Sequence, residues 1–335
     1  MKKLLVILLF SLPVTATALA RTTISPATMA ADATADDTAI WTNPDDETVS
    51  RLIVVANSEL NVFDMDGAPL QSLIAGRVDS IDLRYNVQMG ERNITVLAAS
   101  NGTEFVTIYE ITDSGELAKM GEVRFGIPAN GLCMYQSATM DNMTSIIITN
   151  SEGDFEQREI TVDENGRLEA IALRRYTVGE SLDGCVADDE LGTLYVNEPG
   201  VTIWKYCADS EHDEMLDIEF AEKYGMDYDA ELERNSVIAL DADAPLISDL
   251  TLYRSEGVMG YLAASVAETG DIMVFDRGAA NDELGTVTLE GFDGLSGVAA
   301  SANVLAAAGN GGAAVFNWAD VSSVVGAPLE AARSN

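Results

Sequence analysis

Val62-Phe63-Asp64, Ile108-Tyr109-Glu110, Gln157-Arg158-Glu159, Ile203-Trp204-Lys205, Val274-Phe275-Asp276 and Val315-Phe316-Asn317 share one form. Five pair an apolar residue with an aromatic one, and each triplet ends a short β-rich stretch. Their middle residues are spaced by 46, 49, 46, 71 and 41 residues. Self-similarity at such a period marks a repeat architecture.

A second stretch precedes each triplet and runs into small or polar residues, as in Val54-Val55-Ala56-Asn57, Leu97-Ala98-Ala99-Ser100, Ile147-Ile148-Thr149-Asn150, Leu194-Tyr195-Val196-Asn197, Leu262-Ala263-Ala264-Ser265 and Leu305-Ala306-Ala307-Ala308. Before those lie first strands around Thr38-Trp41, Ile81-Tyr85, Gly131-Tyr135, Gly184-Ala187, Asp249-Tyr253 and Gly297-Ala300. A further strand leads on, so each unit has four strands in about 40–50 residues, the length of a propeller blade. The turns Asp66-Gly67, Asp113-Ser114-Gly115 and Glu164-Asn165-Gly166 supply hairpins. The expected class is all-β, a six-bladed β-propeller over residues 21–335. The long interval places an acidic insertion at about 208–245, and residues 322–335 read as a loose, small-residue tail. Thr22 to Met29 are expected to close the last blade onto the first, because an open propeller exposes a strand edge.

The chain has 335 residues, 47% hydrophobic, with 55 Asp plus Glu against 19 Lys plus Arg and a net charge of −36. The apolar fraction suffices for a core. Lys2 and Lys3, the apolar run Leu4 to Leu12 and Ala18-Leu19-Ala20 read as a secretory signal over residues 1–20. The expected product is an exported, periplasmic or extracellular monomer. The charge repels nucleic acid and anionic lipid, so neither nucleic acid nor membrane is an expected partner. The single His212 sits in an acidic run and excludes His-dependent hydrolysis and His-rich zinc sites. In Asp227 to Ile238, Leu232 and Ile238 fall where an EF-hand needs Gly and Glu, so this stretch is no calcium loop. Cys133, Cys185 and Cys207 allow at most one disulfide; Cys185 and Cys207 are nearest in sequence, and the pairing is open.

In a propeller, loops at one end of the channel bring residues from every blade together. Acids at strand ends therefore matter most: Asp36, Asp37, Glu152, Asp183, Asp188, Asp189 and Glu198. Converging carboxylates without His or Cys suit a hard cation such as Ca²⁺. Arg77, Arg84 and Tyr135 are the candidate anion contacts, with Arg84 and Arg77 also able to pair with Asp82 and Asp79.

Asp36-Asp37-Thr38-Ala39-Ile40-Trp41, Gly76-Arg77, Ile81-Asp82-Leu83-Arg84-Tyr85, Glu152-Gly153-Asp154-Phe155-Glu156-Gln157 and, above all, Asp183 to Glu198 resemble the β-propeller phytases over nearly the whole chain. The resemblance implies a calcium-dependent phosphomonoesterase of the 3-phytase type. Its substrate would be inositol hexakisphosphate or the calcium complex of that compound. By position, Asp37, Glu152, Asp183 and Glu198 would be calcium-side residues, Asp183 also serving in catalysis, with Arg77 and Tyr135 contacting phosphate. The sequence departs from the family where Gly102 replaces an Arg, Ser151 a Lys and Ser248 a Glu, with Asp249 beside it. Losing a charge-assisted phosphate contact costs roughly a hundredfold in rate. The alternative reading is therefore a catalytically impaired propeller that binds Ca²⁺, a phosphorylated ligand or a protein partner.

Overall fold

A computed structural model describes residues 22–31, 34–141, 143–210, 245–255, 259–278, 281–301 and 303–326. The signal segment, His212 with most of the acidic insertion, and residues 327–335 lie outside these. Ahead of the repeats come β1 (Thr22–Ile24) and β2 (Thr28–Ala31). Blade 1 contains β3 (Asp37–Trp41), β4 (Arg51–Ala56), β5 (Glu59–Asp64) and β6 (Pro69–Ile74). Blade 2 contains β7 (Ser80–Met89), β8 (Arg92–Ser100), β9 (Phe105–Ile111) and β10 (Leu117–Arg124). Blade 3 follows with β11 (Gly131–Gln136), β12 (Thr144–Thr149), β13 (Asp154–Val162) and β14 (Leu168–Thr177). Blade 4 shows β15 (Cys185–Asp188), β16 (Thr193–Glu198) and β17 (Thr202–Cys207) among the described residues. In blade 5 are β18 (Ile247–Arg254), β19 (Gly260–Val266), β20 (Asp271–Asp276) and β21 (Glu283–Leu289). Blade 6 has β22 (Leu295–Ala300), β23 (Val304–Gly309) and β24 (Gly312–Asn317), followed by α1 (Trp318–Val325).

The sequence triplets all fall in third strands, and the small-residue stretches all fall in second strands. Within each blade the neighbouring strands pair antiparallel, and each blade is a separate sheet. Ala98, Ala263, Ala264, Ala306 and Ala307 are wholly buried, which lets successive sheets pack closely. The expected closure is present: β2 pairs antiparallel with β24 as the outer strand of blade 6. The N-terminal segment also lends a second strand, β1, which runs parallel to β21 and gives blade 5 a fifth strand. The tail expected to be loose from residue 322 is helical through Val325. Trp318 and Val321 bury one side of α1 against blade 5, and Gly326 ends it in the left-handed conformation.

First strands form the innermost ring and line a central channel of about 430 Å³. They lie side by side in different sheets, so no backbone ladder joins one blade to the next. Side chains bridge every seam instead. Asp37 accepts from Ile81 N–H (2.7 Å), Asp82 from Met134 N–H (2.8 Å) and Asp189 from Gln136 N–H (3.0 Å). Asn197 donates to the Ile247 carbonyl (2.7 Å), Asp249 accepts from Val298 N–H (2.8 Å), and Ser296 donates to the Ala35 carbonyl (2.7 Å). Such hydrogen bonds contribute about 0.5–1.5 kcal/mol net each, and removing one would leave a buried backbone group without a partner.

The disulfide joins Cys133 to Cys185, the inner strands of blades 3 and 4. Cys207, nearest to Cys185 in sequence, lies instead on a third strand and takes no part in the disulfide. Spatial neighbourhood around the channel decides the pairing, which local spacing does not report. A cross-link between residues 52 apart limits the unfolded chain by about 4 kcal/mol on the loop-entropy scale. Replacing Cys133 by Ser is expected to lower unfolding free energy by about 2–4 kcal/mol in denaturant titration without reductant. Replacing Cys207 by Ser should leave the transition within about 1 kcal/mol.

Candidate active site

Inner strands begin at one mouth of the channel, and the loops and strand ends there carry Asp36, Asp37, Arg77, Asp79, Gly102, Asn130, Glu152, Asp183, Glu198 and Asp249. Most of the residues expected to act together therefore do share one end. Their states differ, however, and several are already engaged.

Asp37 is buried, and both its oxygens are engaged: Oδ1 by Thr38 N–H and Oδ2 by Ile81 N–H, each at 2.7 Å. Burial pushes its carboxyl up to about 7, against the opposing pull of these amides, and the charge of Asp82 adds to the rise. Asp249 is raised well above the usual carboxylate range, first by burial and then by repulsion from Asp37, with Asp183 contributing. Asp183 is half-buried and raised to about 6 by burial. Asn130 approaches its Oδ1 from 3.4 Å while donating to the Leu182 carbonyl at 3.1 Å. Gly297 and Gly184 make these approaches possible: a Cβ on Gly297 would collide with Asp37, and one on Gly184 would lie 2.8 Å from Asp249 Oδ1.

Glu198 is also buried, with Oε1 accepting from Glu180 N–H and Oε2 from Trp204 Nε1–H, both at 2.8 Å. It ties the loop before Asp183 to its own blade. Glu152 is exposed on the turn between β12 and β13. Arg77 is 74% exposed and pairs with Asp79 through Nε at 2.7 Å. Tyr135, expected at phosphate, is buried in the core between blades 3 and 4. Its hydroxyl donates to Asp209 Oδ1 at 2.8 Å, and burial together with that carboxylate raises it further from ionisation. Tyr135 stands near the far end of β11 from Gly131, so it is not among the residues at this mouth.

Farther along the channel, Arg84 pairs with Asp82 (2.9 Å) and Asp189 (2.8 Å), which bears out its structural reading. Arg277 was not singled out from the sequence. It is fully buried and forks Asp188 through Nε and Nη2, both at 2.6 Å, while Nη2 also reaches Glu190 at 2.8 Å. The acids at 188–190, part of the most family-like run, thus neutralise arginines. Arg277 holds Asp188 below the usual carboxylate range. Asn130 was missed as well, because its partners Leu182 and Asp183 lie far away in sequence, whereas the pairing of Arg77 with Asp79 is the one the sequence allowed.

The Phytase family model matches residues 11–311. The chain belongs to the Phytase family. A curated relative, the 3-phytase of Bacillus subtilis (strain 168), is 30% identical over 260 residues, which is 75% of this chain and 64% of that relative. This phytase-family chain therefore matches less than two thirds of the relative's length. Among solved structures, the Cps50 (Swd1) β-propeller domain of Myceliophteria thermophila superposes with a TM-score of 0.51 at 11% identity. That alignment covers 85% of this chain and 97% of that domain, a likeness of fold.

A resident Ca²⁺ takes six to eight oxygen ligands converging on one point. Among the described residues, no three His, Cys, Asp or Glu side chains are placed to hold one metal ion. Asp37 and Glu198 spend both oxygens on N–H donors, and Glu152 stands apart on its exposed turn. The four acids expected on the calcium side do not fit a resident ion.

The raised Asp37 has a consequence for stability. The native carboxyl keeps its proton up to about 7 and the unfolded one only to its ordinary value of 3.8, so the native state binds the extra proton in between. That contribution is fully present below the ordinary value and is lost as pH rises through about 7. Urea midpoints are expected to fall between about pH 4 and pH 7, and Asp37→Asn is expected to flatten the fall. An unchanged slope in the variant would assign the pH dependence to groups other than Asp37, with Asp249 and Asp183 first among them.

Proposed function

We propose that this phytase-family chain is an exported phosphomonoester hydrolase acting on inositol hexakisphosphate presented as its calcium complex. The observation that carries the reading is the gathering of Asp37, Asp183 and Asp249 at the mouth whose rim also carries Arg77, with carboxyls raised by burial and, at Asp249, also by the charges of Asp37 and Asp183. A polyanion alone is repelled by a chain of net charge −36, whereas a substrate carrying its own Ca²⁺ relieves that repulsion. Calcium then enters with the substrate, which agrees with the poor fit for a resident ion.

Arg77 offers a guanidinium to phosphate oxygens at the rim. Asp183, with a carboxyl near 6, is suited to take a proton from water at neutral pH. Water attacks phosphorus, the ester P–O bond breaks, Asp183 accepts the water's proton and the leaving inositol oxygen is protonated from solvent. Export is supported by the apolar leader pattern in residues 1–20 and by the Cys133–Cys185 disulfide, since such bonds persist in oxidising compartments.

A second reading is a catalytically impaired propeller that retains phosphorylated ligands. It is favoured by the engagement of Asp37 and Glu198 with N–H donors and by the missing cations at Gly102 and Ser151. Phosphate release from inositol hexakisphosphate, measured with and without Ca²⁺ across pH, separates the two. The hydrolase reading expects release that needs Ca²⁺ and rises through about pH 6. Asp183→Asn is expected to lower kcat by roughly a hundredfold. No release under any condition, with ligand binding retained, supports the impaired propeller.

A further inference from the structure

Gly102 follows β8 at a φ of +70°, and a Cβ there would fall 2.7 Å from Asp79 Oδ2 and 3.1 Å from Arg77 Cζ. The Arg77–Asp79 pair therefore fills the volume that any side chain at 102 would need. Asp79 Oδ1 accepts from Arg77 Nε. Its Oδ2 is buried, takes no hydrogen bond among the described residues and faces the bare glycine. Asp79 is fixed at its other end by its amide, which donates to the Ser100 carbonyl at 3.0 Å. Arg77 thus has its Nε edge anchored, while its Nη groups make no hydrogen bond among the described residues and its side chain is 74% exposed.

A guanidinium held along one edge keeps the planar pair of donors that a phosphate monoester accepts side by side. Anchoring it beforehand also reduces the rotamer freedom lost when an anion binds. We propose that Gly102 is a positioning residue: its missing side chain lets Asp79 hold Arg77 as the anion-gripping guanidinium of this mouth. The ligand is a phosphate monoester oxyanion, and the inference rests on the phosphomonoester reading above. No cation stands at 102, and a larger residue there displaces the Arg77–Asp79 pair.

Calorimetry in the presence of Ca²⁺ with inositol hexasulfate, which has the anionic shape of the substrate and no phosphoester to cleave, tests the coupling. Arg77→Ala and Gly102→Ala are each expected to weaken binding by roughly tenfold. The double variant should bind no worse than Arg77→Ala alone, because both changes remove one contact. Asp79→Asn, which leaves the backbone at 102 untouched, should also weaken binding. Gly102→Arg should bind less tightly than the unchanged protein despite its added charge. Unchanged affinity in Gly102→Ala, or losses that simply add in the double variant, overturn the coupling while the phosphomonoester reading stands. Absence of binding in the unchanged protein, together with no phosphate release, overturns that reading and the coupling with it.

Discussion

Six inner strands stand around one channel without sharing a sheet, and the rest of the structure depends on how those seams are held. A β-ladder satisfies its own amides and carbonyls, but the inner edge of each blade faces another inner edge across a gap that no ladder crosses. Short polar side chains span it: Asp37, Asp82, Asp189, Asn197, Asp249 and Ser296 each reach a backbone group of the adjoining blade. The bridges set the tilt between neighbouring sheets and hence the shape of both mouths. Closure of the ring completes the arrangement, with β2 supplying the last outer strand and Ser296 tying blade 6 to the chain just before β3.

Using carboxylates for this purpose has an electrostatic cost at the very place where a site must form. Burial raises both Asp37 and Asp249, the charge of Asp37 raises Asp249 further, and Gly297 and Gly184 give up side chains so that these acids can approach the backbone. Carboxyls that are expensive to ionise keep their place because the amides they accept would otherwise be buried without partners. The acids at the candidate site therefore serve the fold first. The proposed hydrolysis accordingly calls on groups with fewer structural duties, Asp183 and Arg77 foremost. The buried fork between Arg277 and Asp188 plays the corresponding part deeper in the molecule, linking blade 5 to blade 4 through a matched pair of charges.

The blade pattern was legible because it is local. Strand alternation, an aromatic residue on most third strands and glycine-bearing turns repeat every few tens of residues, and each falls in the strand or turn assigned to it. Even blade 3, where Gln157-Arg158 replaces the apolar-aromatic pair, follows the rule through its position. The site was legible only as a set of loops at one end. Which acids are free depends on partners such as Ile81 for Asp37 or Trp204 for Glu198, and no spacing in the chain announces them. Tyr135 shows the limit most clearly. Its strand was placed correctly, but its hydroxyl is committed to Asp209, 74 residues away on another blade. The disulfide pairing escaped for the same reason, since Cys133 and Cys185 become neighbours only when the ring is assembled.

That disulfide has a bearing on how the molecule withstands cutting. It encloses the whole of blade 3 beyond its first strand within a covalent loop, including the exposed turn around Asn165 and Gly166. A protease that cleaves the backbone at this turn produces two fragments that remain bonded through the innermost ring. The ends of the break lie on the outer rim, while the seam between blades 3 and 4 stays joined beside Asn130 and Asp183. Backbone integrity and integrity of the channel mouth are thereby separated in this part of the ring.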